Sequence, residues 1–133
     1  MDPKALRYAA THEWASLSGG IVTLGITAFA ADQLGDVTLV DIKKPGTRVE
    51  AGQSCGEIES VKSVNDIYAP VAGEIVENNN DAINQALGGD SKALVGDPYS
   101  KFWLLKLKVA PGAALDQLMD LPAYERHLAA EGH

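Results

Sequence analysis

Apolar and polar residues alternate in two early segments of the chain, and this pattern predicts a β-hairpin. The segments, residues 13–17 and 21–26, are rich in residues that favour strands and flank the turn Ser18-Gly19-Gly20. A third apolar segment, residues 37–42, predicts a buried strand, and the turn Lys43-Lys44-Pro45-Gly46 ends it. The first third of the chain is therefore expected to be largely strand.

One short helix interrupts these strands in the N-terminal half. It is predicted over Ala28 to Leu34, because Thr27 can cap its first turn with a side-chain oxygen. Gly35 suits the left-handed conformation in which many helices end. Both boundaries of this helix are therefore predicted from local signals alone.

The middle of the chain, from residue 46 to about residue 80, has one repeating pattern of residue types. Short apolar pairs alternate with single glycines, and turn signals recur every few residues. This pattern is typical of a small antiparallel β-sandwich or flattened barrel, and it leaves no room for a long helix. We therefore predict a mainly β fold.

The last third combines a polar stretch, one strand and a helical tail. Residues 78–100 are loop-like, with a helical turn over Ala82 to Leu87. Residues 102–109 alternate well enough to predict a late strand, which Pro111-Gly112 ends. Apolar residues at helical spacing then predict two short helices, separated at Asp120-Leu121-Pro122.

Length and charge narrow the classes of function. A chain of 133 residues suits one domain, residues 1–133, with a core over about 7–110 and a tail over about 113–130. The net charge of −7, without a cluster of Lys and Arg, argues against nucleic-acid binding. No stretch approaches the roughly 20 apolar residues that a membrane span requires. Nothing at the start of the chain resembles a targeting segment, so we expect a cytoplasmic protein.

The chain has one cysteine, Cys55, and three histidines. A single cysteine cannot form an internal disulfide, and a zinc site needs several clustered ligands, so we predict no metal site. Cys55 lies in a strand-like stretch, where a buried structural cysteine is expected. Redox chemistry in this protein would therefore need sulfur from outside the chain.

Residues 57–70 surround Lys62 with nearly mirror-symmetric chemistry. Opposed residues of an antiparallel pair share a face, so this symmetry predicts a tight hairpin folded about the Lys62–Ser63 bond. The predicted pairs are Val61 with Val64, Ser60 with Asn65, Glu59 with Asp66, and Ile58 with Ile67. Lys62 would lie at the exposed apex, where a lysine is by itself usually only a solvated charge.

The string Gly56-Glu57-Ile58-Glu59-Ser60-Val61-Lys62 resembles the lipoyl-attachment motif, which places an acidic residue, a small or β-branched pair and a lysine on an exposed hairpin. A rigid hairpin lets a ligase reach the amine and lets other enzymes receive the arm in turn. The biotinyl motif looks similar but flanks its lysine with methionines, whereas Val61 and Ser63 stand here. The resemblance implies lipoyl attachment to Lys62, with Glu59 recognised by the lipoyl ligase or transferase.

Further motifs extend the resemblance over about residues 7–128. They stand in the order and spacing of the glycine cleavage system H protein family, which implies a lipoyl/biotinyl-type barrel-sandwich fold. The matching strings are Arg7-Tyr8, His12-Glu13-Trp14, Gly25-Ile26-Thr27, Leu34-Gly35-Asp36, Ala69-Pro70-Val71-Ala72-Gly73-Glu74-Ile75, Asp97-Pro98-Tyr99 and Trp103-Leu104.

This resemblance implies a carrier with no catalytic activity of its own. Lipoic acid would be amide-linked to Lys62, and its dithiolane would accept the aminomethyl group that a pyridoxal-phosphate glycine decarboxylase leaves. An aminomethyltransferase would pass the one-carbon unit to tetrahydrofolate, and dihydrolipoamide dehydrogenase would reoxidise the arm. In the family the loaded arm can enter a cleft, where the matching polar residues are Thr11, Glu13 and Asp66.

Two alternatives stay open at this stage. The same lysine could serve a lipoyl relay or donor protein whose clients are other lipoyl-dependent enzymes. The hairpin could also belong to an interaction domain that carries no cofactor. His12 is expected to be a packing or surface residue, because the sequence offers it no nucleophile and no second acid–base partner.

Overall fold

A computed structural model describes residues 5–99, 101–112 and 115–131. Within these ranges, nine strands and four helices follow one another. The strands are β1 (Arg7–Tyr8), β2 (Glu13–Ser18), β3 (Ile21–Ile26), β4 (Val37–Ile42), β5 (Arg48–Val49), β6 (Ser54–Ser60), β7 (Val64–Tyr68), β8 (Gly73–Asn78) and β9 (Leu105–Lys108). The helices are α1 (Ala28–Leu34), α2 (Asn80–Gly89), α3 (Ala93–Gly96) and α4 (Leu121–Ala130).

The strands form two antiparallel sheets. The larger has the order β1-β2-β3-β9-β8-β5, and the smaller has the order β4-β6-β7. Apolar residues from both sheets form one buried cluster, in which Leu24, Ile58 and Leu107 are completely buried. The prediction of a mainly β sandwich is confirmed, and the two sheets are not closed into a barrel.

The β2–β3 hairpin forms as predicted, with Leu17 opposite Val22. Its turn residues Gly19 and Gly20 have φ angles of 58° and 78°, which glycine adopts without steric cost. Two residues with positive φ form the type of turn whose twist matches that of the flanking strands. The local turn chemistry therefore determines the register of this hairpin.

Helix α1 has the predicted boundaries. The Thr27 side chain accepts a hydrogen bond from the backbone N–H of Ala30 at 3.2 Å. At the other end the backbone N–H of Gly35 donates to the Ala31 carbonyl, and Gly35 has a φ of 67°. The Thr27 cap is confirmed, and Gly35 has the predicted positive φ, although its ψ of −113° lies outside the left-handed helical region.

The stretch predicted as a loop over residues 78–100 is mostly helical, which corrects the sequence-based prediction. Helix α2 runs well beyond the expected turn at residues 82–87, and α3 follows it. Ile83 and Leu87 bury the inner face of α2. The helix packs along strand β4, and this tertiary contact leaves no signature in the local sequence.

The prediction of two helices in the tail is wrong for the first of them. Residues 115–118 form a turn, in which the Leu118 N–H donates to the Leu115 carbonyl at 3.0 Å. Met119 then pairs with Tyr8 as an isolated β-bridge, which adds the tail to the edge of the larger sheet. The second predicted helix forms as α4, which Asp120 caps by accepting from the Ala123 N–H.

A second apolar cluster joins α4 to strands β1 and β2. Tyr8 and Trp14 are completely buried there, and the rings of Tyr8 and Tyr124 are stacked with centroids 4.8 Å apart. The Trp14 indole N–H donates to the Pro98 carbonyl at 2.9 Å. The stacking of Tyr124 on Tyr8 thereby fixes the C-terminal helix against strand β1. None of the helices in the described ranges has the length and apolarity to span a membrane.

Candidate functional site

Lys62 lies at the exposed turn between β6 and β7, as the sequence predicts. The Ser60 N–H donates to the Ser63 carbonyl at 2.8 Å, which closes the turn over Val61 and Lys62. The Ser60 hydroxyl oxygen also accepts from the backbone N–H groups of Lys62 and Ser63, at 3.3 and 3.2 Å. The side chain of Ser60 therefore supports the turn that presents the lysine.

The register of this hairpin differs from the prediction by two residues. It folds about the Val61–Lys62 bond, so Glu59 lies opposite Val64 and Glu57 lies opposite Asp66. The expected pairing of Glu59 with Asp66 is wrong, although two like charges still face each other. The observed register places Ile58 opposite Asn65 rather than Ile67, so the near-mirror chemistry does not determine it. The Ser60 hydroxyl, which accepts from the backbone N–H groups of Lys62 and Ser63, favours the observed turn.

The hairpin tip is attached to the end of helix α1. The Val61 N–H donates to the Asp36 carbonyl at 3.1 Å, and the Lys62 ammonium donates from Nζ to the Gln33 carbonyl at 3.0 Å. A helix C-terminus attracts positive charge, because its last carbonyls carry partial negative charge. The lysine amine is thus held at a defined place while its side chain stays accessible.

A cleft of about 580 Å³ opens beside this contact, between the hairpin and helix α1. Its apolar walls include Phe29, Leu34 and Ile67, and polar groups come from both sides. The residues that line it are Thr11, His12, Ile26, Phe29, Ala30, Gln33, Leu34, Ile58, Ser63, Val64, Asn65, Asp66, Ile67 and Tyr68. The carbonyl of Gln33 places the Lys62 amine at the rim of this cleft.

The structure brings two of the three predicted cleft residues to the cleft wall. Thr11 and Asp66 line it, and Asp66 accepts a hydrogen bond from the Ser54 hydroxyl at 2.9 Å. Glu13 lies behind Thr11 and faces a second, smaller cavity of about 420 Å³, which Thr11 also lines. Thr11 thus stands between the cleft and the Glu13 carboxyl.

Glu13 is a buried carboxyl group, only 2% exposed. Its Oε1 accepts a hydrogen bond from the Thr11 hydroxyl, and its Oε2 accepts one from the Tyr68 N–H at 3.3 Å. Burial raises the pKa of Glu13 to about 7, and these hydrogen bonds lower it in part. Near neutral pH the group can therefore exist in both protonation states.

Glu59 and Cys55, which were also named from the sequence, both lie in strand β6. Glu59 is half-buried in β6, three residues before the lysine, and its carbonyl accepts from the Thr38 hydroxyl at 3.2 Å. Cys55 is completely buried and burial raises the pKa of its thiol to about 12, so the prediction of a structural cysteine is confirmed.

Sequence reasoning missed the contribution of α1 and of His12 to the cleft. Phe29 and Gln33 line it only because α1 folds across the mouth of the small sheet. His12 also lines it and has a φ of 74°, which is unusual for a residue other than glycine. No local signal in the sequence marks these three residues as neighbours of Lys62.

A two-sheet fold that presents one lysine on a tight turn beside a cleft defines a carrier domain of the lipoyl class. The sequence model of the family described as "Glycine cleavage H-protein" matches residues 6–131. The chain therefore belongs to the glycine cleavage H-protein family, the lipoyl carriers of glycine cleavage.

Named relatives agree with this assignment. The chain is 44% identical over 124 residues to the glycine cleavage system H protein of Phenylobacterium zucineum, covering 93% of this chain and 98% of the relative. It is 45% identical over 127 residues to that of Micrococcus luteus, covering 94% and 95%. A crystal structure of a glycine cleavage system H protein from Mycobacterium marinum is similar, with a TM-score of 0.75 and 33% identity, over 99% of this chain and 100% of that one.

Proposed function

We propose that Lys62 carries lipoic acid through an amide bond to Nζ. The observation that supports this most directly is the position of the amine, at an exposed turn and 3.0 Å from the Gln33 carbonyl at the cleft rim. An amide nitrogen keeps one N–H, so the modified side chain can still donate to this carbonyl. The group supplies a dithiolane that accepts the aminomethyl cargo of glycine cleavage.

Glu59 is proposed as the residue that the lipoyl ligase or transferase recognises. It lies on the same rigid hairpin, and its position relative to Lys62 is set by pairing with Val64. A ligase that reads a carboxylate at a set distance from the amine would reject other exposed lysines, such as Lys44 in the turn before β5.

Thr11, Glu13 and Asp66 are proposed to hold the aminomethyl cargo in the cleft. The protonated amine is a cation, and the carboxylate of Asp66 on the cleft wall can give it a charge-assisted hydrogen bond. Thr11 can accept from the amine while its own hydroxyl donates to Glu13. The apolar walls at Phe29 and Ile67 keep water from the cargo, which limits its loss by hydrolysis.

In this role the chain is a carrier that contributes no catalytic group. Its proposed partners are the pyridoxal-phosphate glycine decarboxylase, the tetrahydrofolate-dependent aminomethyltransferase and dihydrolipoamide dehydrogenase, each of which must receive the Lys62 arm in turn. The cytoplasmic location remains a prediction from the sequence.

Intact-mass analysis of the protein from its native host tests the attachment site. We expect one lipoyl group, absent from Lys62→Arg and retained in the matched control Lys44→Arg. Lipoylated protein mixed with glycine decarboxylase should then support exchange of labelled bicarbonate into glycine. An unmodified Lys62 in the native host would contradict the carrier function. Lipoylation without exchange, together with transfer of lipoyl groups to other proteins, would instead support the relay.

A further inference from the structure

One side of the cleft consists of two separate pieces of chain. The first is the turn that carries Thr11 and His12, and the second is helix α1 with its cap Thr27. The Thr27 N–H donates to the His12 carbonyl at 3.0 Å, which joins the two pieces through their backbones. The geometry of the cleft therefore depends on how firmly these pieces are held together.

Tyr124 of the C-terminal helix α4 joins the same two pieces through their side chains. Its hydroxyl lies 2.8 Å from His12 Nδ1 and 2.8 Å from the Thr27 hydroxyl. Thr27 Oγ1 in turn accepts from the Ala30 N–H in the first turn of α1. A single hydroxyl thus connects the turn before β2 with the cap of α1. Tyr124 itself is more than 90 positions away from both in sequence.

The ring of Tyr124 is itself held in place. The side chain is 3% exposed and stacks on Tyr8, whose backbone pairs with Met119 just before α4. Burial raises the pKa of Tyr124 to about 12, so its hydroxyl stays protonated near neutral pH. The connection is therefore a neutral hydrogen-bonding group on a fixed ring.

His12 is the point at which this connection affects the cleft. Its φ of 74° is costly for a residue with a β-carbon, and such a conformation persists only where the surroundings hold it. The surroundings include the Tyr124 hydroxyl, the Glu131 carboxyl at 3.5 Å from His12 Nε2, and the Phe29 ring, whose centroid lies 4.9 Å from that of the His12 ring. Thr11 and Glu13 flank His12, so relaxation of its backbone would move the Thr11 hydroxyl away from the Glu13 carboxyl.

We propose that Tyr124 is a positioning residue of the cleft, which acts through His12 and Thr27 to hold Thr11 against Glu13. This inference rests on the proposed role of the cleft in holding the aminomethyl cargo. Tyr124 does not line the cleft and touches no cargo. The C-terminal helix is thereby assigned a part in cargo retention, although the lysine hairpin lies on the other sheet.

Tyr124→Phe tests the proposal, because it removes the hydroxyl and keeps the stacked ring. In the unmodified protein we expect hydrogen exchange at the Thr27 amide to accelerate about fivefold, as for the loss of one hydrogen bond. In fully lipoylated protein we expect the lifetime of the loaded cargo to shorten by about the same factor. Ile83→Val is the matched control, because it removes a buried methylene from α2, which does not line the cleft.

Combination with Thr11→Ala separates positioning from a general loss of stability. If Tyr124 acts through Thr11, the cargo lifetime of the double variant should equal that of Thr11→Ala alone. A full additional loss in the double variant, or a normal lifetime in Tyr124→Phe beside a shortened one in Thr11→Ala, would overturn the inference and leave the proposed function intact. A normal lifetime in Thr11→Ala itself would overturn the proposed cleft and the inference with it.

Discussion

Asn84 of helix α2 completes the backbone hydrogen bonding of Val40 in strand β4. Its Oδ1 accepts from the Val40 N–H at 2.9 Å, and its Nδ2 donates to the Val40 carbonyl at 2.8 Å. One turn earlier in the helix, Asn80 makes the same pair of bonds with Ile42, at 3.0 and 2.9 Å. Four helical residues advance about as far as two strand residues, so both amides reach alternate residues of one edge. Helix α2 thereby protects an edge strand from pairing with another chain.

Asn84→Ala is therefore expected to lower the free energy of unfolding by about 2 kcal/mol, because two hydrogen bonds are lost and the Val40 backbone groups lose their partner. Gln85→Ala is the matched control, since Gln85 is exposed on the same helix. We expect the control to change stability by less than about 0.5 kcal/mol. Urea unfolding of the two variants checks the difference, and equal stabilities would contradict the role of the amide.

This contact also explains why α2 was predicted only as a helical turn over Ala82 to Leu87. Two asparagines precede it, Asn80 begins it and two glycines end it, a composition that favours turns. Helix α1 was predicted to the residue, because Thr27 and Gly35 are local signals for its two ends. Elements with local capping signals were thus accessible from the sequence, whereas α2 depends on a partner strand about 40 residues earlier.

The candidate site was predictable to a similar extent. The exposed position of Lys62 follows from the hairpin pattern, but the register of the hairpin depends on hydrogen bonds to Ser60 that the symmetric sequence does not distinguish. The cleft wall at Gln33 and the left-handed backbone of His12 arise from the packing of α1 and α4. Such long-range contacts have no periodicity along the chain.

Glu13 should make stability depend on pH in a definite direction. Its pKa is about 7 in the folded protein and 4.5 without burial, so the folded state binds more protons between these values. Stability therefore falls as pH rises from about 4.5 to about 7, by about 3 kcal/mol for this group, and is then constant. The difference in unfolding free energy between the native protein and Glu13→Gln, measured by urea unfolding at each pH, should decrease over that window. A difference that is flat or increases with pH would contradict the buried carboxyl.

Two glycines should respond to alanine with opposite signs. A β-carbon at Gly25 would lie 2.4 Å from the indole ring of Trp14, which is completely buried. Gly25→Ala is expected to cost about 3 kcal/mol, since neither side of this contact can move freely. At Gly88 in α2 a β-carbon meets nothing within 4 Å, and Gly88→Ala should stabilise by about 0.5 kcal/mol through helix propensity. Thermal unfolding of both variants provides the test, and a tolerated Gly25→Ala would disprove the close approach.

Partner binding should depend on salt through the exposed face of the small sheet. Asp41, Glu57 and Asp66 lie opposite one another across β4, β6 and β7, on the sheet that carries Lys62. Like charges in direct register are unfavourable in the free protein, and a basic partner surface would relieve this repulsion. We expect the affinity for glycine decarboxylase to fall when NaCl is raised from about 50 to about 500 mM, because the shorter Debye length screens the attraction.

Glu57→Gln should weaken binding at low salt and reduce the salt dependence. Glu74→Gln, an exposed charge on the larger sheet, should change neither. Equal effects of the two substitutions would show that the net charge of the protein, rather than this row, steers the partner.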